Sequence, residues 1–288
     1  MPRDAYVNGR YVPHGHARVH VEDRAYQFAD GVYEVVAIRG GRIVDEEPHL
    51  DRLDRSLKEL RIAWPMSRAA MKSVMRELIR RNRVDDGSLY LQVSRGVAPR
   101  DHAFPKTAPR PALVMTTRQA RSPNAALIEK GASVITIPDI RWERCDIKSV
   151  SLLPNVLGKQ QAVEAGAYEA WQVAADGTVT EGTSTNAWIV NDRNELVTRK
   201  ADEAILSGIT RLAVKKIAAE SQIRLVERPF TVDEARKARE AFLTSTTSFV
   251  LPITAIDGHK IGDGRPGPVA TRLRELYLRY MEQPDTAA

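Results

Sequence analysis

The chain of 288 residues is nearly free of cysteine. Cys145 stands alone, so no intrachain disulfide can form and a cysteine-rich metal centre is excluded. No apolar run is long enough to span a bilayer, and no membrane partner is expected. Met1-Pro-Arg-Asp-Ala-Tyr6 lacks the basic-then-apolar pattern of a secretory signal, which leaves a cytoplasmic protein as the expectation. Internal repeats and low-complexity tracts are missing as well. The formal charge of +6 comes from basic residues interleaved with acidic ones. Its densest run, Arg76 to Arg83, has the spacing of a solvated helix face, so a nucleic-acid partner is not expected either. What is present is an ordinary globular composition, 43% hydrophobic and 28% charged, long enough for one large domain or two medium ones.

Period and punctuation divide the chain into two mixed α/β halves. Asn8-Gly9 between Ala5–Val7 and Arg10–Val12 predicts a hairpin, because both residues tolerate the positive φ of a type I′ turn. Gly31–Ile38 reads as a strand turned back by Gly40-Gly41. Leu50, Leu53, Leu57 and Leu60 form the apolar stripe of a helix over 47–62, and Ser67 caps a second helix running to about Arg81. Strands follow at Ser88–Arg95 and Ala112–Thr117, and then Thr117–Asn124 has the polar composition of a linker. The expected domains are therefore 1–120 and a larger 121–288. The second half predicts strands at 132–137, 169–174, 178–180, 185–190, 195–198, 222–227, 242–245 and 253–256. Helices are predicted near 156–165, 209–221 and 269–281.

Several stretches could carry chemistry. Lys148 lies among Cys145, Ile147, Val150, Leu152 and Leu153. A lysine there either snorkels its ammonium into water or is held partly desolvated, the state in which an amine forms a Schiff base with an aldehyde cofactor. Glu181, closing Thr178-Val-Thr-Glu181, is either an exposed edge glutamate or a partner for a protonated ring nitrogen. Gly208-Ile-Thr210 opens a helix whose free N–H groups and dipole suit an anion, or it is an ordinary helix start. Thr244-Ser-Thr-Thr-Ser248 offers five consecutive hydroxyls, or a plain turn. Arg52 could fork onto a phosphate, or sit on the polar face of its helix. Together these are a lysine, an acid and three phosphate-type anchors, and pyridoxal 5′-phosphate asks for that set most naturally.

The order of the motifs also carries a resemblance. Glu22-Asp-Arg-Ala-Tyr-Gln-Phe-Ala-Asp-Gly-Val-Tyr-Glu-Val-Val36, His49-Leu-Asp-Arg-Leu53, Arg95-Gly-Val-Ala-Pro-Arg-Asp-His102, Asp139–Ser149, Thr178–Gly182 with Ser184 and Asn186, Ile205-Leu-Ser-Gly-Ile-Thr-Arg211 and Thr244–Ser248 resemble the fold-type IV pyridoxal-phosphate enzymes along nearly the whole chain. Tyr33 with Pro99-Arg-Asp-His102 is similar to the D-amino-acid transaminases. The resemblance implies a two-domain α/β (mixed α+β) homodimer that moves amino groups between D-amino acids and 2-oxo acids. Lys148 would be the Schiff-base lysine and Glu181 the ring-nitrogen partner. Arg52, Ile209, Thr210 and Thr246 would form the phosphate cup, with Ser184, Asn186, Leu206 and Ser245 also at the cofactor. Tyr33, Arg100 and His102 would trap the substrate carboxylate. Thr183 and Thr185 depart from a common serine-rich run but keep its hydroxyls. A branched-chain L-amino-acid aminotransferase and an (R)-amine transaminase share the fold, a lyase of the aminodeoxychorismate type also falls within it, and a catalytically silent anion-binding protein is the alternative from another class.

Overall fold

The computed structural model describes residues 3–120 and 125–283, which divide into two compact units. The first holds the described residues up to 120 and, from later in the chain, Ile147–Ser151. The second holds 125–146 and 152–283.

In the first unit β1 (Asp4–Val7) and β2 (Arg10–Pro13) form the expected hairpin, with Asn8 at φ 48° and Gly9 at φ 98°. A short 3₁₀ turn follows over His14–His16, then α1 (Arg24–Phe28), β3 (Gly31–Arg39), β4 (Arg42–Ile43), α2 (Glu46–Glu59), α3 (Arg68–Asn82), β5 (Gly87–Ser94) and β6 (Ala112–Gln119). The six strands make one antiparallel sheet in the order β2-β1-β6-β5-β3-β4. Alternation along β3 sends Val32, Val36 and Ile38 into a core shared with Leu50, Leu53 and Leu57 of α2 and Met71, Met75 and Leu78 of α3. Each of those leucines is about 1% exposed, burial that stabilises by roughly 1.5–3 kcal/mol per side chain. Ser67 caps α3 as its sequence predicts, accepting from Ala70 N at 3.2 Å. β6 extends through Gln119, so the expected linker begins later than Thr117, and its remaining part, 121–124, lies outside the described residues.

The second unit runs α4 (Ala125–Lys130), β7 (Ala132–Pro138), α5 (Leu153–Glu164), β8 (Glu169–Val173), β9 (Val179–Gly182), β10 (Asn186–Val190), β11 (Leu196–Thr198) and α6 (Ile209–Glu220). It continues with β12 (Leu225–Glu227), α7 (Val232–Lys237), β13 (Glu240–Ser245), β14 (Phe249–Ile256), β15 (His259–Lys260) and α8 (Pro268–Glu282). Its mixed sheet is ordered β12-β11-β10-β13-β14-β7-β8-β9, with β15 paired to β14. Trp171, Ile189, Leu243 and Ile253 fill one core of this unit. Trp188 stacks on Phe242 at 5.4 Å and donates to Thr244 Oγ1 at 2.9 Å, which locks β10 to β13 where Asn186 pairs with Thr244. α5 begins at Leu153 rather than Val156, because Pro154 suits the first helical turn.

Candidate active site

In the first unit the site is built on β3. The backbone of the lysine segment lies along this strand: Tyr33 N donates to Lys148 O at 3.0 Å, Val150 N donates to Gly31 O at 3.0 Å, and Ser149 bridges Val32. Lys148 N donates to Ser56 Oγ of α2 at 3.3 Å, and Ile147 enters the core, so the residues on both sides fix the backbone of the lysine. The half-buried Lys148 places Nζ 4.3 Å from the Tyr33 ring centroid, a cation–π contact. Tyr33 in turn stacks on Tyr90 at 5.7 Å. Burial, with the neighbouring Tyr33, pushes the Tyr90 phenol up to about 12, so it stays protonated and donates to Gln92 Oε1 at 2.6 Å.

Strand alternation turns Glu34 away from Tyr33 and towards α2. Its carboxylate is fully buried and accepts from Arg52 Nε at 2.8 Å, Arg52 Nη2 at 2.7 Å and His49 Nδ1 at 2.7 Å. A carboxylate only accepts, so His49 carries its proton on Nδ1. Burial alone would raise Glu34, but the charge and hydrogen bonds of Arg52, together with the hydrogen bond from His49, outweigh it and set the acid at about 2. Burial likewise pushes His49 down, against the pull of Glu34, so the ring meets the acid as a neutral donor. Arg52, read from sequence as a phosphate ligand, therefore has a carboxylate of its own unit as a close partner. Arg100 and His102 lie together on an exposed loop of this unit.

In the second unit Glu181 lies on β9, the terminal strand of its sheet, yet is only 6% exposed, so it is not an exposed edge glutamate. Its Oε1 accepts from Arg141 Nη1 at 2.5 Å, and its Oε2 from Asn186 Nδ2 at 3.0 Å and Leu206 N at 3.1 Å. Arg141 is itself fixed by Asp139, Thr180 Oγ1 at 3.2 Å and Ala204 O at 3.1 Å. Asn186 also donates to Leu206 O at 3.0 Å and abuts Gly208, where an added Cβ would meet Asn186 Oδ1 at 2.1 Å. A side chain there would require Asn186 to shift and give up its hydrogen bonds. Gly208 caps α6 without a side-chain hydrogen bond, with Ile209 and Thr210 buried in the first turn. Thr210 Oγ1 lies 3.5 Å from the Tyr277 hydroxyl. The register of β10 against β13 carries Ser245 and Thr246 just past the Asn186–Thr244 pair, in the turn where Ser248 N donates to Ser245 Oγ at 3.0 Å. Ser184 Oγ donates to Glu169 Oε2 at 3.0 Å. The chain thus gathers Glu181, Asn186, Leu206 and the head of α6 into one cluster.

Sequence reasoning left three members of these clusters without a role. Arg141 sits two residues after Asp139, a spacing that lets one side chain grip the other, yet nothing local points it at Glu181. Glu34 hides within an otherwise apolar strand. Glu169 is completely buried and accepts from Thr183 Oγ1 at 2.5 Å as well as from Ser184.

The mixed α/β architecture is that of the fold-type IV aminotransferases. The T.th. branched-chain amino acid aminotransferase with pyridoxamine 5′-phosphate superposes with a TM-score of 0.89 at 26% identity, covering 99% of this chain and 96% of that one. The chain belongs to the class IV aminotransferases: the pattern described as "Amino-transferase class IV" matches residues 31–256. It is 43% identical over 267 residues to the D-alanine aminotransferase of Bacillus licheniformis, covering 93% of each chain. It is also 39% identical over 277 residues to that of Staphylococcus aureus (strain MW2), covering 96% of this chain and 97% of the relative.

Proposed function

We propose that this chain is a pyridoxal-phosphate-dependent aminotransferase that passes the amino group of D-amino acids, D-alanine and D-glutamate foremost, to 2-oxo acids. The observation that carries the D series is the near-full-length identity of 39–43% to D-alanine aminotransferases, against 26% to the branched-chain enzyme. Side-by-side assays of D- and L-alanine test it, and a preference for L-alanine would overturn it.

The residues suit the cofactor. Glu181, a buried carboxylate beside a guanidinium, matches a protonated ring nitrogen. The head of α6, capped by Gly208 without a side-chain hydrogen bond, matches a phosphate drawn close to backbone N–H groups. Ile209, Thr210, Ser245 and Thr246 would hold that phosphate together with Arg52, while Asn186 and Leu206 orient Glu181. Bound there, the cofactor supplies an electron sink for the carbanion at the substrate Cα. Lys148 would provide the amine that holds the cofactor's aldehyde and the base that moves the Cα proton. Glu181→Gln is expected to slow the half-reaction about a hundredfold, the scale on which a preorganised charge acts, with cofactor retained. Rapid mixing with D-alanine measures this, and unchanged rates would assign the ring nitrogen another partner.

Tyr33, Arg100 and His102 are the proposed carboxylate trap. A charge-assisted contact of this kind contributes about 1.5–3 kcal/mol, so Arg100→Ala should raise KM for D-alanine by roughly one to two decades. A homodimer in which this loop serves the neighbouring subunit, and a cytoplasmic address, complete the proposal. No helix among the described residues is long and apolar enough to cross a membrane. Support for the dimer comes from α5, where Leu153, Val156, Leu157 and Val163 share one helix face at 68, 59, 49 and 58% exposure. At D-alanine well below the KM of Arg100→Ala, mixing these subunits with Lys148→Ala subunits should raise activity above that of either alone, because one site of the mixed dimer regains both residues. Mixtures no more active than the Arg100→Ala subunits they contain would place the loop in its own subunit's site.

A further inference from the structure

The loop bearing Arg100 and His102 is exposed, yet its backbone is fastened from below by a buried arginine. Arg24 of α1 is only 3% exposed. It donates through Nη1 to Asp101 O at 2.6 Å and through Nη2 to His102 O at 3.4 Å, while its Nε donates to Asp30 Oδ2 at 2.8 Å. Phe28, at the other end of the same helix, meets the loop's side chains. Its ring centroid lies 5.1 Å from Arg100 Cζ and 5.2 Å from the His102 ring, with Arg24 Cζ at 4.8 Å. α1 is itself pinned: Asp23 accepts from Ala25 N at 2.9 Å and from Ser94 Oγ at 2.9 Å.

We propose that Arg24 and Phe28 are positioning residues that hold Arg100 and His102 in the arrangement that grips a substrate carboxylate. The proposal rests on the assignment of Arg100 and His102 as the trap. An exposed loop that must order itself on binding subtracts that ordering from the affinity, and fastening it beforehand removes the cost. Arg24 is well suited to this, because its donors bind two consecutive carbonyl oxygens and so define a backbone conformation rather than a side-chain pose. Phe28 then limits where the Arg100 and His102 side chains lie. The effect falls on carboxylate binding and leaves the proton transfer by Lys148 alone. Asp30 does not depend on Arg24, since Arg95 holds it bidentately through Nε to Oδ2 at 2.7 Å and Nη2 to Oδ1 at 2.9 Å. Arg24 can therefore be removed without stranding a buried acid.

In the cofactor-loaded enzyme, Arg24→Met is expected to raise KM for D-alanine about tenfold, the worth of one to two hydrogen bonds, with kcat within about twofold of the parent. Competitive inhibition by propionate, a carboxylate with no amine to react, should weaken by the same factor. Phe28→Leu should move both quantities in the same direction and carries the test if Arg24→Met does not fold. Unchanged KM and propionate inhibition in these variants, beside a raised KM in Arg100→Ala, would overturn the anchor and leave the trap standing. An unchanged KM in Arg100→Ala would remove the trap and the anchor's purpose with it. A loss confined to kcat or thermal stability would reduce Arg24 to a fold contact and overturn the proposal.

Discussion

Lys148→Ala is expected to lower turnover with D-alanine by at least roughly 10²–10⁴-fold, the contribution of a positioned base alone, and further through loss of the covalent link. The protein should still fold, because what fixes this segment is not the ammonium. Tyr33 N and Ser56 Oγ hold the backbone of residue 148, Ile147 anchors the core side, and Ser149 bridges Val32. The cation–π contact with Tyr33 is the main thing lost, worth about 0.5–1 kcal/mol. Cofactor should co-purify through the anion-binding residues but no longer become fixed to the chain by borohydride. Both readouts matter. Turnover within tenfold of the parent would remove Lys148 from the chemistry, and borohydride labelling of the variant would move the link to another lysine.

The path from sequence to site was clearest where a local rule applied. Asn8-Gly9, the leucines of α2, the Ser67 cap and the glycine heading α6 each act within a few residues, and each was legible. α7 obeys such a rule as well: Thr231 accepts from Glu234 N at 3.1 Å, and Thr231-Val-Asp-Glu234 has the spacing of a capping box, so a signal for this unpredicted helix was present. α1 and α4, at five and six residues, are too short for an apolar stripe to repeat. The lysine segment was hidden for a different reason. Sequence order placed Lys148 with the second half, whereas its backbone pairs with β3, more than a hundred residues earlier, and a long-range bridge leaves no local pattern. Partner choice was equally hidden. Glu181 and Arg52 stood out in the sequence as charged residues, but the Arg141 that meets one and the Glu34 that meets the other depend on which strand faces bring them together.

That second pairing has a consequence large enough to measure in the folded protein. Glu34 is fully buried between Arg52 and His49, so Glu34→Gln leaves the Arg52 guanidinium without its carboxylate, a loss that costs about 3–5 kcal/mol in buried pairs. At roughly 2–4 °C per kcal/mol for a chain of this class, the melting temperature at pH 7 should fall by about 6–20 °C. The pH dependence identifies the cause. Glu34 titrates at about 2 in the folded chain against an ordinary 4.5, so its contribution is fully present above about 4.5 and is lost as the pH falls towards 2. A shift of that size corresponds to about 3 kcal/mol, of the same order as the cost of breaking the pair. The gap in melting temperature between parent and variant should therefore hold steady from pH 7 to 5 and narrow below 4.5. If the gap keeps its size at pH 3, the glutamine disturbs packing and the buried ion pair is not what stabilises this unit. The double variant Glu34→Leu with Arg52→Met separates the two roles of the arginine. Because apolar residues of similar size can replace a buried pair at little cost, it should regain part of the lost stability, the rest being withheld by His49 Nδ1, which loses its acceptor. Cofactor affinity should fall below the parent's in that double variant if Arg52 also serves the phosphate, and match the parent's if Arg52 does not.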